Sequence, residues 1–144
     1  MKTLKSACII IACMALSACS NKPSVGDVEA SLPEFKGCPL FKIGNFKEIN
    51  GIPSESANKY KLQASYDIEV LGDIPKDVAN QVLRTQVNPS TLPAGCTQAK
   101  VMTLLGVAQV AGANPTEGLK KGLVLHLSPT FNMIKSDKGW IIEE

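Results

Sequence analysis

The clearest pattern in the chain runs from Lys59 to Leu71. Tyr60, Leu62, Ala64, Tyr66, Ile68 and Val70 alternate there with Lys61, Gln63, Ser65, Asp67 and Glu69. A period of two predicts a half-buried antiparallel strand with one face on the core and the other in water. Both tyrosines fall on the apolar face, where packing in a sheet core accounts for them more simply than a binding platform does. Phe41 to Ile49 reads as an earlier strand with Phe41 and Ile43 on one face, and Gly44 offers a place for a bulge. Asn50 to Asn58 carries Gly51, Pro53, serines and asparagines and reads as a loop. Toward the end, Leu119 to Lys135 reads as one long or two short strands, interrupted at Ser128-Pro129. Asp137-Lys138-Gly139 then turns into a last strand over Trp140 to Glu143.

Helical signals lie between these strands. Ser24 can cap a short helix, with Asp27 three residues on, Val25, Val28 and Leu32 along one side, and Pro33 ending it. Pro75 suits the first position of a second helix, continued by Asp77 to Val87 with a stripe of Val78, Val82 and Leu83; Asn88-Pro89 stops it. Val101, Leu104, Leu105 and Ala108 have helical spacing, yet Val101 to Val110 also fits a buried strand. Gly37-Cys38-Pro39 and Pro93 to Gly95 read as turns, and Gly112 to Gly118 as a loop. A helix, then strands, a helical middle and strands again predict an α+β fold, a mainly antiparallel sheet packed against one to three helices.

The first residues follow a different logic. Lys2 and Lys5 give a short positive start, and Ala7 to Ala18 is an apolar run broken only by Ser17. A run of about 20 apolar residues is needed to span a bilayer. This one is shorter and has the length of a signal-peptide core. Leu16-Ser17-Ala18-Cys19 resembles the lipobox of bacterial lipoproteins. The resemblance covers residues 1–19 and implies a diacylglycerol on the Cys19 thiol, cleavage before Cys19, and a further acyl chain, such as palmitate, on the freed amine. Two or three chains make a stable membrane anchor, since each buried methylene adds about 0.8 kcal/mol. Ser20 resembles the pattern of members carried to the outer membrane, so the implied location is the cell envelope, anchored in the outer membrane and facing the periplasm. The chain thus divides into a cleaved signal peptide, 1–18, a lipidated tether, 19–23, and one α+β domain, 24–144.

That division changes the reading of charge and cysteines. The whole chain has a formal charge of +2, from 15 basic and 13 acidic residues. Removing Lys2 and Lys5 leaves 13 of each, so the mature side chains are neutral overall. A nucleic-acid partner would call for a basic surplus. Of five cysteines, Cys8 and Cys13 leave with the signal peptide and Cys19 carries lipid, which leaves Cys38 and Cys96. In an oxidising envelope compartment these two predict a disulfide. Two cysteines and one histidine without paired spacing do not supply a four-ligand zinc site, so no metal is expected.

Candidate chemistry is sparse. His126, the one histidine, stands opposite Leu125 and Leu127 by alternation, and no local motif provides the partner that acid–base work needs. Nucleophile elbows, phosphate-binding glycine loops and zinc-protease motifs do not occur, so no cofactor is expected. Asp67, Glu69, Asp73 and Asp77 lie close in sequence, with Asp67 and Glu69 on the wet face of the long strand, where solvated carboxylates are ordinary. Lys120-Lys121 likewise reads as a solvated turn.

A short leading helix, the long strand 59–71 and the closing Lys138-Gly139-Trp140 hairpin look like small envelope lipoproteins with cystatin-like or NTF2-like folds. Such folds carry many functions. The expected function is therefore non-enzymatic: a membrane-anchored lipoprotein that binds another envelope protein or supports the envelope. The alternatives are a small-ligand module, with an apolar cavity between sheet and helix, and an enzyme built on dispersed carboxylates.

Overall fold

The computed structural model describes residues 22–143. The expected signal peptide, 1–18, and Cys19 and Ser20 lie outside the described residues. Helix α1, Val25–Ala30, begins with the capping box that Ser24 and Asp27 predict: Ser24 N–H donates to the Asp27 carboxylate at 2.7 Å, and Ser24 Oγ accepts from Asp27 N–H. Val28 and Leu32 are buried, and so is Pro23, which the sequence assigns to the tether. Pro33 opens a single 3-10 turn, Pro33–Phe35, that leads to Cys38.

Strand β1 spans Phe41–Pro53 and strand β2 Lys59–Val70. They pair antiparallel along nearly their whole length. The expected loop at 50–58 is therefore shorter: residues 50–53 belong to β1, because Asn50, Gly51, Ile52 and Pro53 keep register with Gln63, Leu62, Lys61 and Tyr60. Gly51 permits this by letting the Tyr60 ring lie directly over its Cα. Pro53 is tolerated because β1 is an edge strand. Two register shifts interrupt the pairing, one between Gly44 and Lys47 and one between Glu48 and Asn50.

Helix α2, Lys76–Leu83, has Pro75 as its N-cap rather than its first residue. It stops four residues before the expected Val87. Thr85 turns left-handed (φ 57°), its N–H donates to Val82 O at 3.0 Å, and Gln86 N–H donates to Gln81 O at 2.8 Å. This closure satisfies the last carbonyls without the usual glycine. Helix α3, Gln98–Val110, settles the ambiguous middle as helical; Thr97 caps it and Val101, Leu104, Leu105 and Ala108 face inward.

Strand β3, Val124–Leu127, and strand β4, Thr130–Ser136, are the two short strands. They follow one another along the second edge of β2, β3 opposite Tyr66–Glu69 and β4 opposite Lys59–Gln63. At the break, Pro129 O accepts from Ala64 N–H at 3.2 Å, so the ladder carries across it. Strand β5, Gly139–Ile142, closes a hairpin with β4. The sheet order is β1-β2-β4-β5 with β3 also on β2, an α+β fold as predicted.

One apolar core fills the space between the sheet's inner face and the helices. Leu62, Ile68, Val70 and Met133 meet Val28, Val82, Val101, Leu104 and Leu105, all fully buried. Tyr66 stacks on Phe46 with ring centroids 5.3 Å apart, and half-buried Tyr60 meets Trp140 edge-on at 6.2 Å. The alternation of β2 thus sorts core from solvent as read, and the tyrosines belong to the core.

Candidate functional site

The polar positions of β2 carry the outer sheet face, and three strands bring side chains together there. Asp67 stands opposite His126 of β3, and Glu69 opposite Lys42 of β1. The first register shift lets Asn45 adopt a left-handed conformation (φ 56°), which asparagine tolerates better than most residues. From there its Nδ2 donates to Asp67 Oδ2 at 2.8 Å. His126 Nδ1 lies 2.6 Å from the other carboxylate oxygen. Lys42 Nζ and Glu69 Oε2 form an ion pair at 2.8 Å. Lys42, Gly44, Asn45, Asp67, Glu69 and Val124 line an open depression of about 160 Å³.

The hydrogen bond from Asn45, followed by the one from His126, holds the Asp67 carboxyl below its ordinary value of 3.8; partial desolvation opposes them. An ionised Asp67 accepts a hydrogen bond from His126 Nδ1 when that nitrogen carries a proton. This is the orienting half of an acid–base arrangement. The imidazole is 78% exposed and the Asp67 side chain 25%, so the histidine end of the pair lies in water, where its field is weak.

His126 therefore has the partner that no local motif indicated. Alternation puts both residues on the wet face, but only the β2–β3 register sets them side by side. The other carboxylates do not join them: Asp73 accepts the backbone N–H of Lys121 at 2.8 Å, tying down the turn of the Lys120-Lys121 pair, and Asp77 lies in the first turn of α2. Cys38 and Cys96 form a disulfide with their Cα atoms 4.5 Å apart. Among the described residues, no group of three or more His, Cys, Asp or Glu is placed to hold a metal ion, and no helix is long and apolar enough to cross a membrane. A larger depression, about 420 Å³, lies between α2 and the 115–117 turn, lined by polar residues that include Lys76, Asn80, Arg84 and Glu117.

Comparison with known protein families, with characterised proteins and with solved structures gives no match to this chain.

Proposed function

We propose that this protein is a lipid-anchored lipoprotein of the bacterial envelope that acts by contact with another envelope protein, without catalysis. The observation that carries the reading is the placement of its polar chemistry. Asn45, Asp67, Glu69 and His126 lie on an open sheet face, while the space between sheet and helices is filled by side chains such as Leu62, Leu104 and Met133. Catalysis by preorganised dipoles draws its strength from a water-excluded site, and neither this open face nor the filled interior offers one. The lipid on Cys19 confines the domain to a membrane surface, and the raised local concentration lets a weak interface suffice.

A second reading, an acid–base enzyme, is favoured by the 2.6 Å contact between Asp67 and His126. One complementation experiment separates the two. A strain lacking the protein, scored for envelope permeability, receives the parent, Cys19→Ser, or the triple variant His126→Ala, Asp67→Asn, Glu69→Gln. The contact reading, with its interface outside these three side chains, expects the triple variant, folded and anchored, to match the parent and Cys19→Ser to fail. Failure of a folded, anchored triple variant, together with loss of a measurable turnover, would transfer the function to the acid–base reading.

A further inference from the structure

We infer that the second half of β1, around Ile49 and Ile52, is the surface this domain lays on the membrane. The inference rests on the lipid anchor proposed above and adds the orientation of the domain. Lys22 Nζ pairs with Glu48 Oε1 at 3.7 Å, and Pro23 is buried, so the chain enters the fold beside Glu48. Cys19 precedes Lys22 by three residues. At the full extension of a peptide chain they span at most about 11 Å. A lipid at Cys19 therefore keeps Lys22, and through it the Glu48 end of β1, near the bilayer surface.

That end carries apolar side chains in water. Ile49 is the extra residue at the second register shift and is 52% exposed; Ile52, on the outer face, is 55% exposed. Both lie within four residues of Glu48 on the sheet's open edge. Lys61 stands directly across from Ile52, and Lys47 precedes the shift. The acids on this stretch are Glu48, paired to Lys22, and Glu55 in the following turn. Aliphatic side chains flanked by lysines, on a surface that a short tether brings to the lipid, match the interfacial zone of a bilayer with anionic headgroups: the apolar groups enter the acyl boundary and the ammonium groups stay at the phosphates.

Tryptophan quenching by brominated lipid tests this directly. Lipidated protein purified from envelopes is reconstituted into phosphatidylethanolamine and phosphatidylglycerol vesicles, with or without phospholipid brominated at upper acyl carbons. The parent's sole tryptophan, Trp140, is buried and sets the baseline. Ile52→Trp and Ile49→Trp are compared with Val110→Trp, at an 83% exposed position ending α3. The expected result is a loss of emission on bromination for the two β1 variants beyond the parent's, with no added loss for Val110→Trp. Folded, vesicle-bound β1 variants that are not quenched, or equal quenching at all three positions, would overturn the orientation and leave the anchor standing. The intact mass of the same sample reads the anchor separately: a Cys19 without acyl chains would overturn both.

Discussion

Breaking the Cys38–Cys96 bridge should lower stability by about 4 kcal/mol without changing the fold. The bridge joins the turn before β1 to the approach of α3 across a sequence separation of 58 residues. Closing a loop of that length removes about 14 cal/mol/K from the unfolded chain, or about 4 kcal/mol at 25 °C. The native corner has other supports. Gly37 and Gly95 both turn left-handed (φ 80° and 85°), and Gly95 packs so closely on the Gly37 carbonyl that a Cβ would not fit. Lys100 Nζ donates to Lys36 O at 2.6 Å and to Gly95 O at 3.3 Å, tying the two turns together. The bridge therefore acts chiefly on the unfolded chain. Urea unfolding of oxidised and reduced protein, followed by Trp140 fluorescence, reads the difference. With a urea slope of about 2 kcal/mol/M, the midpoint should fall by about 2 M. Reduction keeps both sulfur atoms in place, so no cavity complicates the comparison. An unchanged midpoint, with both thiols counted free, would refute the loop-closure reasoning.

Two further perturbations bear on the sheet. Leu62 is fully buried and Lys61 exposed on the same strand; by calorimetry Leu62→Ala should cost about 2–5 kcal/mol and Lys61→Ala no more than about 0.5 kcal/mol. The lowered pKa of Asp67 means its ionised form is favoured by the fold, so its contribution is complete above 3.8 and is lost as pH falls through the lower folded value. In melting curves across acidic pH, the margin of the parent over Asp67→Asn should shrink below about pH 4; a constant margin would mean that the Asn45 and His126 hydrogen bonds do not favour the charged form.

How much of this was legible in the sequence depended on how local each signal was. The alternation of β2 needs no partner to be read, since one face is apolar and the other polar throughout. The α1 cap is equally local. α3 was ambiguous because Met102, Val107 and Val110 place apolar residues outside the inward stripe, Val110 in full exposure; Thr97, whose hydroxyl accepts from Lys100 N–H at 3.2 Å, was the local sign that a helix starts there. The end of α2 was hidden because Thr85 takes a conformation usually left to glycine. The extension of β1 to Pro53 depended on pairing with β2, and loop-forming residues masked it. For the same reason the Asp67–His126 contact escaped: it joins positions 59 residues apart, and neither neighbourhood names the other.

Intact-mass analysis of the protein, purified from envelopes after growth with labelled palmitate, reads the proposed lipid on Cys19. The expected species is a chain beginning at Cys19, two or three acyl chains heavier than its sequence, with the label absent from Cys19→Ser. A chain that retains residues 1–18, or equal labelling of parent and Cys19→Ser, would contradict it.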